Sequence, residues 1–332
     1  MPESIKNRSE VLFLYDVKDA NPNGDPVDEN KPRIDEETGV NIVTDVRLKR
    51  TIRDYLHDYK QQEIFVLEAR DEKGNLKTKE QRLKEFDNNP QEVINRCIDI
   101  RLFGATTAVE DKTMALTGPV QFKFGRSLHR VDVSYIKGTT VMPSGAEKKQ
   151  GTFTERYIVP YSLIAFYGIV NETAASQQSI PLSEQDILLM LEAIWNGTKN
   201  LISGSKFGQV PRLLLQVVYK QGLNFYIGEL DKLISMSIDK ADEALRDISE
   251  AKIEVGQLIK ALKENQEKIE TIRFKLDLRI SITQDNKDIN LVDALKDFAA
   301  QELIFYVVLS KDRKSTRLLS SHEVPSRMPS SA

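Results

Sequence analysis

Residues 11–55 constrain this chain more tightly than any other stretch: VLFLYDVKDANPNGDPVDENKPRIDEETGVNIVTDVRLKRTIRDY. An apolar strand pattern over Glu10–Val17 breaks into a long loop carrying Asn21, Pro22, Asn23, Gly24, Asp25 and Pro26, then Lys31, Pro32 and Arg33. Long ordered loops inside a compact domain are uncommon and usually functional. Asn, Gly and Asp accept backbone angles that other residues avoid, and Pro pins φ, so such a loop takes a definite shape. It feeds a helix with Thr44 as N-cap and Asp45 in the first turn, where a carboxylate suits the helix dipole. Leu48, Ile52, Tyr55, Leu56 and Tyr59 recur at helical spacing and mark a buried stripe, while Lys49, Arg50 and Arg53 share a sector away from it. A shaped, amide-rich, cationic loop beside a cationic helix is a cradle for a polyanion.

That cradle has to be local. The 332 residues carry 47 Lys and Arg against 50 Asp and Glu, a net charge of −3, so the whole chain is no basic coat for nucleic acid. A hydrophobic content of 40% is enough for a substantial core in one large domain or two. The single cysteine, Cys97, excludes an internal disulfide framework and a cysteine-rich zinc site. Its neighbours Val93, Ile94, Ile98 and Ile100 assign it to core packing. Met1–Glu10 is too polar for a signal peptide, and no apolar run reaches membrane-spanning length. A soluble cytoplasmic protein without a membrane partner is the expectation.

Further along, Ile64–Arg70 and the segment from Leu76 read as a hairpin around Lys73-Gly74-Asn75, and Pro90–Phe103 as a helix ended by Gly104. Gly118–Phe124, Tyr157–Val170, Val210–Lys220, Phe274–Ile280 and Leu303–Ser310 read as strands, with Tyr157–Val170 central. Ser183 caps an amphipathic helix running to Trp195, and Leu291–Gln301 reads as another helix. Helices and strands mix without regular alternation, which predicts an α+β sheet with helices on one face.

Two segments stand apart. Leu230–Ile272 keeps apolar residues at alternating four-three steps (Ile234, Ile238, Ala241, Leu245, Ile248, Val255, Ile259, Leu262, Ile269), the pattern of a helical hairpin with a narrow seam. Seven basic and ten acidic residues make it an unlikely bed for nucleic acid. Residues 131–156, rich in Gly, Thr, Lys and Ser, hold little core material and read as two strand-like arms around a polar tip. From Gly118 to Val159, seven bases face three acids, in contrast to the acidic whole. The final stretch, residues 312–332, resembles the translation of a sequencing adapter: Asp312–His322 match except at Leu319, and Ser326–Ala332 match fully. It is read as a non-native tail and carries no functional weight.

Signatures of catalysis are weak. His57 and His129 lack the spacing of a metal pair, and no GxGxxG, Walker loop or zinc signature is present. Asp16, Asp19, Asp25 and Asp28 cluster in sequence without matching a calcium loop. No cofactor or metal site is expected. Gly204-Ser205-Lys206-Phe207-Gly208, followed by Pro211-Arg212, can expose backbone N–H groups and two cations to a phosphate.

The segments LFLYDVKDANPNGDP, NKPRID and GVNIVTDVRLKRTIRDYL resemble the Csh-type (type I-B) Cascade backbone family of type I CRISPR systems, close to Csd-type relatives. Weaker similarity continues through Gly104, Gly118-Pro119-Val120, Tyr157–Tyr161 and Trp195-Asn196-Gly197, so it spans residues 9–311. The resemblance implies an RRM-like (ferredoxin-like) palm with a hairpin thumb at residues 131–156 and a helical insertion at residues 229–272. It implies copies that assemble along one guide RNA (crRNA) beside other Cascade subunits, leaving bases free to pair with target DNA. By similarity and charge, Asn21, Asn23, Arg33, Arg47, Lys49, Arg50 and Arg53 are palm contacts to RNA. Lys137, Lys148 and Lys149 are thumb contacts, with Val141 and Met142 at the apolar tip, and Lys206 and Arg212 complete the set. No catalytic residue is assigned. The competing readings are a metal-dependent ribonuclease acting through Asp19 or Asp25, and a structural scaffold built on the Leu230–Ile272 seam.

Overall fold

The structure, a computed structural model, describes residues 4–109, 112–139 and 153–305. Its centre is a nine-stranded sheet in the order Gln301–Glu302, Ile269–Leu276, Val210–Tyr219, Ser9–Ala20, Phe153–Val170, Gly125–Arg130, Val40–Val43, with Val120–Phe122 and Ser134–Thr139 also paired to Phe153–Val170. Neighbours are antiparallel except the outermost pair, Ile269–Leu276 with Gln301–Glu302. The first strand is apolar on both faces because both faces are covered. Val11, Phe13, Tyr15 and Val17 pack into a core shared with the helices Asp45–Lys60 and Glu184–Lys199. Leu12 and Leu14 pack on the other side into a second core under residues 230–298. A strand buried on both faces loses the polar-apolar alternation of a half-exposed one.

The two helices start as the sequence predicts. Thr44 and Ser183 sit at extended φ/ψ, and their side chains accept from Arg47 N–H and Asp186 N–H. Leu48, Ile52, Tyr55 and Leu56 are buried, whereas Tyr59 is partly exposed and stacks on Tyr55 with ring centroids 4.9 Å apart.

Elsewhere the chain departs from the pattern. Residues 229–272 form no helical hairpin. They hold 3-10 turns, the strands Ser235–Ile238 and Ala251–Glu254, the helix Gly256–Glu264 and the start of Ile269–Leu276. Ile234, Leu245, Ile248, Val255, Ile259, Leu262 and Ile269 are buried, whereas Ile238 is partly buried and Ala241 exposed, so most apolar positions were correct and the periodicity misleading. Short turns and strands laid along one surface also return an apolar residue every three or four positions. Here Asp247 caps a 3-10 turn, and Ala251–Glu254 pairs in parallel with Ser281–Gln284, which a helix cannot do.

Pro90–Phe103 breaks at Cys97, which has β-region angles between the helices Pro90–Arg96 and Ile98–Phe103. Gly104 ends the second at φ 69°, where a Cβ would lie 2.4 Å from Gly118 N. Around Lys73-Gly74-Asn75 a turn forms, but only a single bridge, Arg70 to Leu76, follows it. A hairpin of Gly104–Val109 and Lys112–Thr117 was not read from sequence. Leu291–Gln301 is helical only to Leu295, then a 3-10 turn. The expected strand Leu303–Ser310 lies mostly, and the adapter-like tail wholly, outside the described residues.

Candidate nucleic-acid interface

The first strand ends where the long strand leaves the sheet. Ala20 faces Val159, while Ile158 pairs with Ser134 of the projecting arm. The chain turns back here through left-handed residues: Asp19, Glu29 and Asn30 have φ of 49°, 47° and 58°. Gly24 is required by close approach, since a Cβ would lie 2.1 Å from Asn30 Oδ1 and 2.7 Å from the Asn30 carbonyl oxygen. Asn21 is buried; its Nδ2 donates to Asn30 O at 2.6 Å and its backbone N–H donates to Ser205 O at 2.7 Å. Asn23 Oδ1 accepts from the N–H and the hydroxyl of Thr44 at 2.8 and 2.9 Å. The loop is thereby fastened both to the helix cap and to the Gly204–Gly208 turn.

Three segments remote in sequence therefore meet at one corner. Lys206 sits near Arg47: burial, and then the Arg47 charge, push its ammonium below the ordinary lysine range. Burial also lowers Arg47. Arg47 donates to Thr51 Oγ1 at 2.9 Å and Lys206 to Ser205 Oγ at 3.2 Å; among the described residues neither has a carboxylate ion-pair partner. Two neighbouring cations with no ion-pair partner, Asp54 acting on Arg47 only through its field, favour a bound anion. The same segments leave Asn21 Oδ1, Arg33 Nε, Ser203 Oγ and Gln209 Nε2 buried without a hydrogen-bond partner. Native structures seldom strand such atoms, and a ligand is one way to satisfy them.

Other predicted contacts are committed to protein partners. Arg33 pairs with Asp25 at 2.6 Å. Arg50 pairs with Asp54 at 2.6 Å, and Arg53 with the fully buried Asp99 at 3.0 Å. The helix wheel groups Lys49 with Arg50 and Arg53, and the structure keeps Lys49 and Arg53 together over the Phe103 ring, at 5.6 and 5.3 Å. Arg47, Arg50 and Arg53 line a cleft of about 760 Å³ with Asn23 and Thr44. Lys49 instead bonds Asp45 at 2.9 Å and Gln121 at 3.3 Å, and lies over the Phe103 ring. Arg212 is buried between Asp16, at 2.6 Å, and Asp277, at 2.5 Å. It is a structural charge rather than a surface contact, because both its anionic partners are inside with it. Lys137 is exposed on the arm, cross-strand from Glu155 at 3.6 Å. Met142, Lys148 and Lys149, with Val141, lie outside the described residues.

The sequence and fold comparisons bear directly on this corner. The family described as CRISPR-associated protein Cas7 matches residues 7–256, which include all three converging segments. A curated relative, CRISPR-associated protein Cas7 of Haloferax volcanii, is 31% identical over 309 residues, covering 83% of this chain and 88% of the relative. This chain belongs to the Cas7 family. Two solved structures share its fold. One, described as a CRISPR RNA-guided surveillance complex, has a TM-score of 0.51 at 15% identity over 90% of this chain and 95% of that one. The other, described as the same kind of complex in a pre-nicking state, has a TM-score of 0.54 at 12% identity over 90% and 96%.

The Cas7-family chain also carries cations that sequence reasoning missed. Lys77, Lys79 and Arg82 line a wall of the cleft with Phe65 and Val66, where Lys77 and the buried Arg82 both pair with Glu85. The signal was the basic run Lys77-Thr78-Lys79-Glu80-Gln81-Arg82, masked by its interleaved acids. Asp99 positions that wall: it accepts from Phe65 N–H at 2.8 Å and Val66 N–H at 3.1 Å while holding Arg53. The carboxylates of the alternative reading are dispersed. Asp16 is buried with Arg212, Asp25 is held by Arg33, Asp28 pairs with Lys31, and Asp19 is exposed. His57 is exposed beside Asp58 at 2.8 Å. His129 is buried, and burial keeps its imidazole below the ordinary range; its Nε2 accepts from Leu163 N–H at 3.2 Å. Burial pushes the Cys97 thiol up to about 12, consistent with core packing.

Proposed function

We propose that this chain is a non-catalytic backbone subunit of a Csh-type, type I-B Cascade assembly that binds guide RNA, oligomerises along it in the cytoplasm with other Cascade subunits, and presents bases to target DNA. The observation that carries the reading is the corner where bend, helix cap and glycine-rich turn meet: Asn21 N–H donates to Ser205 O, Asn23 Oδ1 accepts from Thr44, and the nearby cations Arg47 and Lys206 have no ion-pair partner among the described residues. Phosphate on this pair would relieve their mutual repulsion and leave the bases outward, the arrangement that guide-directed recognition needs.

The strand order supports an RRM-like palm. Val210–Tyr219, Ser9–Ala20, Phe153–Val170 and Gly125–Arg130 lie side by side, with Asp45–Lys60 in the connection from Ser9–Ala20 to Gly125–Arg130 and Glu184–Lys199 in that from Phe153–Val170 to Val210–Tyr219. The arms Ser134–Thr139 and Phe153–Ile158 support a projecting thumb. A head-to-tail contact repeated along RNA yields an open filament rather than a closed ring.

The test is assembly on synthetic guides of graded length. Particle mass should rise stepwise with RNA length, and affinity should fall linearly in log-log with salt as counterions are released. RNA cleaved at regular intervals, with loss of cutting on Asp19→Ala or Asp25→Ala, would replace this reading with the ribonuclease. A particle that forms without RNA and persists in high salt would favour the scaffold.

A further inference from the structure

The cleft of about 760 Å³ beside the helix Asp45–Lys60 meets the guide corner at Asn23, Thr44 and Arg47, and neither Ser205 nor Lys206 lines it. Six cations surround it: Arg47, Arg50, Arg53, Lys77, Lys79 and Arg82. Four are neutralised within the protein. Asp54 pairs with Arg50, Asp99 with Arg53, and Glu85 with both Lys77 and Arg82, which also reaches Glu63 at 3.2 Å. Glu68, the carboxylate in the lining, is held by Arg70 at 3.0 Å. Of the six, Arg47 and the exposed Lys79 make no ion pair among the described residues. The same cleft carries three aliphatic side chains that folding leaves in water: Val46, Val66 and Leu76, at 65%, 46% and 57% exposed. Single exposed apolar side chains are ordinary, but several in one concave site mark a surface that another molecule covers.

We propose that this cleft docks a segment of a partner protein that is acidic and apolar at once. Its aliphatic or aromatic side chains cover Val46, Val66 and Leu76, and its carboxylates reach Lys79 and Arg47. Buried apolar anchors supply most of the affinity of such a contact, and charges at the rim guide its approach. A nucleic-acid strand fits less well, since it brings a charge with every phosphate to two uncompensated cations and gains nothing from aliphatic side chains. The segments of this chain outside the described residues have the wrong sign. Residues 140–152 carry two lysines against one glutamate, and residues 306–332 five bases against two acids. The occupant is therefore a different protein, and its docking does not depend on guide RNA.

The experiment pans a random peptide library on the immobilised full chain, with counter-selection on Val66→Ser/Leu76→Ser. Both side chains are exposed, so this variant should keep the fold, which its melting midpoint checks. Enriched peptides should combine Asp or Glu with Leu, Ile, Phe or Trp, and should bind the double variant about tenfold more weakly. Lys79→Glu should weaken them too and flatten their salt dependence. Guide affinity and particle mass should stay unchanged in the double variant. If no sequence survives counter-selection, or the survivors lack acids, the acidic-apolar occupant is wrong. A matching loss of guide affinity in the double variant would make the cleft a nucleic-acid bed instead. Smaller particles on the same guide would make it a contact between copies of this chain. Failure of the unmutated chain to bind any guide would remove the guide reading and leave this docking surface standing.

Discussion

Arg47 and Arg212 invite the same reading in sequence and have opposite fates in the fold. Arg212 lies between Asp16 and Asp277, with Tyr161 OH also donating to Asp16 at 2.9 Å, so its charge is neutralised inside the protein. Burial raises the Asp16 carboxyl despite that partner. Arg47 lies near enough to Lys206 to depress its ammonium, and neither cation makes an ion pair among the described residues, Asp54 acting on Arg47 only through its field. Charge counted along a chain is therefore not charge available to a ligand. The difference is decided by which strands bring carboxylates alongside.

The comparison can be broken most forcefully at Arg212. Arg212→Ala strands the buried Asp16, while Asp277 keeps Arg279 at 2.7 Å, and should cost about 3–5 kcal/mol, the usual result of removing one partner from a buried ion pair. Chemical denaturation measures it; a loss below about 1 kcal/mol would mean that the network is not structural. Arg47→Glu with Lys206→Glu should act the other way round. Guide affinity should drop by about two orders of magnitude, and the salt slope should shrink by roughly 0.7 for each phosphate of the single strand that the protein no longer neutralises. Unchanged RNA binding in that variant would remove the corner from the interface.

Gly24→Ala sharpens the contrast within the bend. Its new methyl group overlaps the Asn30 side chain and carbonyl, for an expected cost of about 1–3 kcal/mol. The displaced bend should weaken guide binding without changing charge. The smallest effect is a pH dependence. His129 accepts from Leu163 N–H and is held below its ordinary pKa by burial, so folding favours the neutral ring. Stability is full above the unfolded imidazole value near 6.5 and declines as pH falls from there towards the depressed folded value. Denaturation midpoints across pH 5–8 should show that decline, and His129→Gln should flatten it.

How much of this was legible varies with the distance over which the physics acts. Thr44 and Ser183 were readable as caps because a cap is satisfied within three residues. The central strands were readable because burial on both faces demands an unbroken apolar run. Residues 229–272 were misread because apolar spacing reports what is buried, not which element buries it. There, the parallel pairing of Ala251–Glu254 with Ser281–Gln284 overrode helical periodicity. The wheel put Lys49 beside Arg53, and both lie over the Phe103 ring, but angle alone could not show that Asp45 and Gln121 hold the Lys49 ammonium outside the cleft.

By itself, the chain determined the bend, since Asn21 and Gly24 admit backbone angles that other residues avoid and the prolines pin φ, and it determined the basic helix that follows. Only the tertiary structure decided that residues 203–208 dock against Asn21, that Lys206 meets Arg47, and that Arg212 is buried between two acids. Local sterics act over a few residues and are written in order along the chain. Neutralisation and desolvation depend on which distant groups arrive together, and that is settled when the sheet closes.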